Sequence, residues 1–349
     1  MQTLKTRQNQ RRAKHTSAEH SSTAEQTFEC PHPRERFKPQ FATTDYITGD
    51  KFVVGFCYDC RLMVTNPVPD EAKMARYYPS TYYGQGRRFM PVVEWLLNTL
   101  YNTRAANIEG HQQPGRVLDI GCGRGLLLDK LRSRGWEPHG TELSEEAAAF
   151  ARDSLKLPVT TETIERAGFP SNRFDLVILW HVLEHVRSPR ETLREVGRIL
   201  KPGGTLLVAV PNFGSWEARW SKQGWFHLDV PRHLTQFTYR SLEEALQQAG
   251  MTVDTANYLS LEYDFFSFVQ TVQNKIGFRH NLLYNLLRTR SARVLDESGK
   301  ASTSGLVQAV LAVATAVPLG AMSLIYVPLM AFLHKGATMT VYATKSDKE

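Results

Sequence analysis

Four side chains able to move a proton or meet an anion lie within seven residues: His227, Asp229, Arg232 and His233, in Trp225-Phe226-His227-Leu228-Asp229-Val230-Pro231-Arg232-His233-Leu234. Imidazole titrates nearest neutrality, so His227 and His233 are candidate general bases. Asp229 and Arg232 would orient them or bind an anionic substrate. His227, Asp229 and His233 also fit a two-histidine, one-carboxylate iron triad. Such triads draw their histidines from separate strands of a barrel, and no barrel pattern is present. A hydrogen-bonded structural loop is the bland alternative. A second cluster, His181-Val182-Leu183-Glu184-His185, matches the H-x-x-E-H metalloprotease pattern. That pattern needs both histidines on one long helix. Here His181 follows an apolar strand and Ser188-Pro189 starts the next helix, so the match reads as accidental.

A platform must hold these side chains, and Arg116-Val117-Leu118-Asp119-Ile120-Gly121-Cys122-Gly123-Arg124-Gly125 supplies it. Val117 to Ile120 is a short apolar run expected to be a buried strand. Three alternate glycines follow, then Leu126, Leu127, Leu128 and Leu131 along one side of a helix that Gly135 ends. Strand, glycine turn and helix start make a nucleotide-binding unit, because glycine lets the backbone turn tightly and approach a ligand. A dinucleotide fingerprint places its third glycine one residue later, where this chain has Leu126. Trp136 to Thr141 reads as the next strand, ending at Glu142, an acid suited to ribose hydroxyls.

Leu118 to Gly125 with Glu142, Arg173-Phe174-Asp175-Leu176-Val177, His181 to Val186, and Leu200-Lys201-Pro202-Gly203-Gly204 together resemble class I S-adenosylmethionine-dependent methyltransferases. The likeness extends over residues 112 to 260 and a last strand near 337 to 344. It implies an α/β, doubly wound Rossmann-like sheet. It further implies that Asp119, Gly121, Cys122, Gly123 and Gly125 hold the methionine end of the cofactor, that Glu142 and Leu143 border the ribose, that Glu162 or Thr163 borders the adenine, and that His181 lies along the cofactor. The Pro-Arg-His-Leu segment would stand at the substrate mouth. Capping signals at Ser144, Ser188 and Ser241 mark helix starts.

Relatives of this kind often carry a zinc ribbon ahead of the domain, with two Cys-x-x-Cys knuckles. Cys57-Tyr58-Asp59-Cys60 is intact, but the other knuckle reads Cys30-Pro31-His32-Pro33, so His32 would have to substitute for a cysteine. Zinc on Cys30, His32, Cys57 and Cys60 is the candidate; a ribbon that folds without metal is the alternative. The expected organisation is a polar tail over 1–29, a ribbon-like module with a hairpin at Tyr46 to Val54 over 30–68, and a helical lid or linker over 69–110. The methyltransferase domain follows over 111–260, then an apolar helical insertion over 261–335 and the last strand and tail over 336–349. Tyr77, Tyr78, Tyr82 and Tyr83 belong to the lid or pack on the domain edge.

The chain has 349 residues, a net charge of +7 and four cysteines. That charge permits an anionic partner without demanding one, and no basic patch with interleaved aromatics marks nucleic acid. The N-terminus lacks the apolar core of a signal peptide, so a cytoplasmic, reducing setting is expected. Leu306 to Leu333 is long and apolar enough to cross a bilayer. Pro318 and Pro328 interrupt it, and a last sheet strand follows, so a helical hairpin in one leaflet, or packing on the protein, is expected instead. Leu282, Leu283, Leu286 and Leu287, followed by Arg288, Arg290, Arg293 and Lys300, suit contact with the inner face of a membrane. The functional expectation is O- or N-methylation of a small or amphiphilic molecule, such as a lipid, a quinone precursor or a lipid-linked sugar. The alternatives are a non-catalytic cofactor-binding membrane protein and a nucleic-acid methyltransferase. Oligomeric state is not legible.

Overall fold

The computed structural model of the chain describes residues 36–78, 91–289 and 303–346. The 1–29 tail, Cys30, His32, Tyr82, Tyr83, Arg290, Arg293 and Lys300 lie outside them. In chain order the elements are β1 (Phe37–Thr44), β2 (Lys51–Cys57), β3 (Leu62–Asn66), α1 (Glu71–Tyr77), α2 (Pro91–Glu109), β4 (Arg116–Ile120), α3 (Leu126–Arg132), β5 (Glu137–Thr141), α4 (Glu145–Ala149), β6 (Val159–Thr160) and β7 (Phe174–Trp180). There follow α5 (Pro189–Ile199), β8 (Leu200–Pro211), α6 (Trp216–Ser221), β9 (Thr235–Gln236), α7 (Tyr239–Gln248), β10 (Met251–Asn257), α8 (Asp264–Lys275), α9 (Leu282–Thr289), α10 (Thr303–Phe332) and β11 (Thr338–Lys345).

Seven strands form one sheet in the order β10-β11-β8-β7-β4-β5-β6. Strands β8, β7, β4, β5 and β6 are parallel, and β11 runs antiparallel to both its neighbours. The period of two sorts each strand between two cores. Val117, Leu176, Ile178 and Leu207 face α2 and α3, where Ile108, Leu128 and Leu131 are buried. Leu118, Ile120, Val177, Leu179, Leu206 and Val208 face α5 and α7, meeting Leu193, Val196, Leu242 and Leu246. The strand order reverses between β4 and β7, so the loops after these two strands open a crevice at the carboxyl edge of the sheet.

Two local expectations are corrected. Ser144 caps α4 by accepting from the Ala147 N–H, but Ser188 makes no side-chain cap bond. The cap of α7 is Thr238, and Ser241 is the reciprocal partner three residues inside. Lys201 to Gly204 lies within β8 as an irregularity, where Lys201 Nζ reaches both oxygens of Asp175 at 2.7 and 2.8 Å.

The ribbon-like module is not separate. Its sheet runs β1-β2-β3-β9, and β9 comes from the loop that carries His233. Phe52, Val54 and Tyr77 share a core with Trp225, Leu228 and Val230. The expected hairpin is the turn from Asp45 to Asp50 joining β1 and β2.

Helix α10 continues through Pro318 and Pro328 as one element of 30 residues, so the expected hairpin is absent from it. It lies along the domain from end to end: Gln308 accepts from the Arg279 N–H, Gln273 donates to the Ala312 carbonyl, and Tyr326 stacks on Phe268. These contacts tie the helix to α8 and the loop that follows it, and residues 304–332 are long and apolar enough to cross a membrane by length and composition. Its protein-facing stripe includes Ala312, Thr315 and Ser323, whereas Val317 and Ile325 are each 76% exposed and Phe332 is 82% exposed. Large apolar groups face outward from it as well as inward, where Val327 is 3% exposed and Leu319 and Tyr326 pack against Phe268 and Val269.

Candidate active site

The glycine loop begins where β4 ends. Gly121, Gly123 and Gly125 have φ of 70°, 54° and 74°, the left-handed region that disfavours a Cβ. The N–H groups of Gly121 and Cys122 donate to the Thr141 carbonyl at 2.7 and 3.0 Å, locking the loop to the end of β5. Glu142 closes the ring. Its Oε2 accepts from the Gly123 N–H and its Oε1 from the Ser144 N–H, both at 2.8 Å. A side chain added at Gly121 would strike Val182 at 2.6 Å, whereas one at Gly123 would meet no protein atom within 4 Å. The side of the loop at Gly123 is therefore open space, as a bound ligand requires. Leu143 beside it is 68% exposed, Glu162 is exposed and Thr163 half-buried at the end of β6.

Asp119 lies beneath the loop, and burial pushes its carboxyl up to about 7; Arg104 opposes this and Glu142 adds to it. Cys122 is held as the thiol, its pKa pushed up by burial and by the same two acids. Sequence reasoning missed Arg104. Its guanidinium sits 3.5 Å over the Trp180 ring and pairs with Glu262 at 2.5 Å. A lone arginine on a long helix gives no pattern to read. Arg104, Trp180 and Glu262 line a cavity of about 410 Å³ between α2 and the β10–β11 edge.

A second cavity, of about 360 Å³, is lined by His181, Glu184, His185, His227, Asp229 and His233, with Phe226, Tyr263, Phe266 and Tyr284 as its aromatic side. The turn after β7 separates it from the glycine loop: Val182 abuts Gly121, while His181 and Glu184 face the cavity. His181 has φ of 54° and places Nδ1 3.1 Å from Glu184 Oε1. His227 is buried, and its Nε2 has no hydrogen-bond partner. Burial and the nearby imidazoles push it down to about 3, so the ring is neutral. His233 is pushed down to about 4, chiefly by burial, and its Nδ1 lies 2.8 Å from the His227 carbonyl. Burial opposes the charge on Glu184, yet the His181 contact and the other imidazoles bring its carboxyl to about 2.

Arg232 is where the structure corrects the sequence reading. It is 0% exposed, and its guanidinium donates to Asp45 Oδ1 at 2.8 Å, to Asp229 Oδ1 at 2.7 Å and to the Tyr77 carbonyl at 3.1 Å. It is a clamp between the module and the loop, with no room to bind an anionic substrate. Asp229 is bound to that clamp, and burial raises its carboxyl less than Arg232 and His233 lower it. His227 and His233 do share one cavity, and His181, Glu184 and His185 join them there.

Residues 95–256 match a family described as a methyltransferase domain. This stretch is a methyltransferase domain. Over 159 residues the chain is 32% identical to the ubiquinone biosynthesis O-methyltransferase of Azoarcus sp., covering 43% of this chain and 66% of that protein. It is 34% identical over 122 residues to the protein of the same name from Alkalilimnicola ehrlichii, covering 33% and 49%. The chain thus spans about half to two thirds of the length of these relatives. Among solved structures, a SAM dependent methyltransferase from Archaeoglobus fulgidus is 19% identical, with 71% and 94% of the two chains covered and a TM-score of 0.43. The domain's loop, acid and open Gly123 side fit S-adenosylmethionine.

Proposed function

We propose that the chain is an S-adenosylmethionine-dependent methyltransferase that acts on a hydroxyl of an amphiphilic, quinone-like small molecule at a membrane surface. When bound, the cofactor supplies an electrophilic methyl group on a sulfonium. The observation that carries the reading is the position of His227: a neutral imidazole with a bare Nε2, in an aromatic-walled cavity one turn away from the glycine loop. Glu142 holds the ribose, and the loop backbone with Asp119 lies against the positive methionine end. With its proton on Nδ1, His227 accepts the acceptor's hydroxyl proton at Nε2 as the oxygen is methylated. Phe226, Phe266 and Tyr284 exclude water around the acceptor ring.

The names of the relatives support a lipid-like phenol as the acceptor. Phe266 belongs to α8 and Tyr284 to α9, and both helices pack against α10. With its outward apolar face in one leaflet, α10 would present the cavity to molecules drawn from the bilayer. The test is incubation of membrane extract with methyl-labelled cofactor and either wild type or His227→Ala. A labelled apolar product that falls by about 10²–10⁴ in the variant, with S-adenosylhomocysteine affinity kept, is the expected result. Equal labelling by both proteins would refute the role of His227, and label confined to nucleic acid or protein would refute the substrate class.

The Cys57–Cys60 knuckle belongs to the same reading as a zinc-binding element. Its Cys60 N–H points at Cys57 Sγ at 3.5 Å, as a metal-bound thiolate accepts. Metal analysis of wild type and Cys57→Ser decides it, and equal zinc in the two would end it.

A further inference from the structure

The H-x-x-E-H match set aside on sequence grounds contributes two of the three members of a different arrangement. Glu184 and His185 come from the turn after β7, and His233 comes from the loop before β9. One ligand atom from each of these three residues lies within 4.8 Å of the other two.

Their hydrogen bonds decide what these atoms can be. His185 Nδ1 lies 2.9 Å from the Arg232 carbonyl, with the Tyr78 hydroxyl 3.2 Å away, and His233 Nδ1 lies 2.8 Å from the His227 carbonyl. A carbonyl only accepts, so each neutral ring carries its proton on Nδ1 and leaves Nε2 as a lone pair. Glu184 is 1% exposed; its Oε1 is met by His181, and its Oε2 has no hydrogen-bond partner. Each ring thus keeps one nitrogen lone pair, and the three residues offer one possible ligand atom apiece to a single group. Such a buried set is costly unless a cation lies among its members. An imidazole tied to a backbone carbonyl through its other nitrogen is also how a metal-ligating histidine is oriented.

The backbone fixes the set in advance. The N–H groups of Leu234 and Thr235 donate to the Glu184 carbonyl at 2.8 and 3.1 Å, and Thr65 Oγ1 donates to the His233 carbonyl at 2.7 Å. The two loops that carry the ligands cannot drift apart without breaking these bonds.

We propose that Glu184, His185 and His233 bind a divalent first-row transition metal in the wall of the 360 Å³ cavity. The metal site itself goes beyond the methyl-transfer reading and stands without it; its chemical role rests on that reading. Two imidazoles and one carboxylate suit Mn, Fe, Co or Zn, and three protein ligands leave coordination positions open toward the cavity. A metal held there would supply Lewis acidity to the acceptor's oxygen, and His227 Nε2 would take the hydroxyl proton.

Mn²⁺ is the probe, because thiolates hold it poorly and the Cys57–Cys60 knuckle will not compete. Free Mn²⁺ is followed by its electron paramagnetic resonance while it is titrated into the full chain, and S-adenosylhomocysteine is titrated into the same preparations by calorimetry. Wild type and Cys57→Ser should each take up one Mn²⁺ per chain. Glu184→Gln and His233→Ala should bind it more than about tenfold more weakly, beyond the low end of what an outer partner contributes. Their S-adenosylhomocysteine affinity should stay within about twofold. If His233→Ala does not fold, His233→Gln keeps a donor for the His227 carbonyl and should lose the metal equally. A wild type that takes up no Mn²⁺, or variants that bind it as wild type does, overturn the site and leave the methyltransferase reading intact.

Discussion

Asp119→Asn should make the ligand-free protein more stable and its cofactor binding worse. Burial holds the Asp119 carboxyl near 7 against an ordinary 3.8. At about 1.4 kcal/mol per pH unit, that rise corresponds to about 4 kcal/mol. The sign follows from proton binding. Between pH 4 and 7 the folded state keeps a proton that the unfolded state has lost, so stability falls as pH rises through this window and levels off above it. Asparagine carries no such proton. The variant should match wild type near pH 4 and exceed it by about 4 kcal/mol above pH 7. Glu217 and Asp264, held near 8 and near 7 by burial, impose a similar slope on both proteins, so the difference between the two curves isolates Asp119. Urea denaturation at half-unit intervals from pH 4 to 8 measures it. In parallel, S-adenosylmethionine affinity of the wild type should rise toward pH 7 as Asp119 ionises, while the variant stays weak and flat. Parallel stability curves would refute the burial argument, and unchanged affinity would refute Asp119 as the acid that faces the cofactor.

Gly123→Val should fold, since its Cβ meets no protein atom, at a cost of about 1–2 kcal/mol for the left-handed backbone. It should lose S-adenosylhomocysteine binding in a calorimetric titration, and wild-type affinity would show that the open side of the loop is not the cofactor's. Arg232→Met should destabilise the chain by about 3–5 kcal/mol, because Asp45 and Asp229 would lose the buried cation they share; a loss under about 1 kcal/mol in urea denaturation would contradict the clamp. Val317→Lys with Ile325→Lys, both on the outward face of α10, should leave stability within about 0.5 kcal/mol per site and abolish flotation with anionic vesicles. Undiminished flotation would remove α10 as the membrane contact.

The sheet was legible because its signals are local. Alternating apolar residues, a glycine turn and an acid at the next strand end lie within about thirty residues of one another, and Glu142 does close on Gly123. The capping signal at Ser144 marks the start of α4, and that at Ser241 lies three residues inside the cap of α7, which is Thr238. What remained hidden depends on residues far apart in sequence. Nothing in Thr235-Gln236 announces that it will pair with Met63 and Val64, since two residues are too few to show a period. Arg232 and its partner Asp45 are 187 positions apart, so a salt bridge could not be told from a substrate-binding arginine. The convergence of His233 with Glu184 and His185 was missed for the same reason. For α10 the misreading had another cause: proline was weighted as a breaker, yet a long helix anchored along one side tolerates two of them.

The strand shared between the module and the domain sets an order of events during synthesis. Residues 37 to 66 leave the ribosome first, but the last strand of their sheet is β9, and the Thr65 hydroxyl waits for a carbonyl 168 residues later. At about 5–20 residues per second that delay is about 10–30 s, long against the microseconds in which a hairpin closes. The β1–β2–β3 meander must therefore persist with one edge bare and with Phe52 and Val54 lacking their partners Trp225 and Leu228. An unpaired edge of this kind invites pairing with another chain. The nascent protein is thus most exposed to misassembly between the emergence of Asn66 and that of Gln236, and a chaperone that covers strand edges would act in that interval.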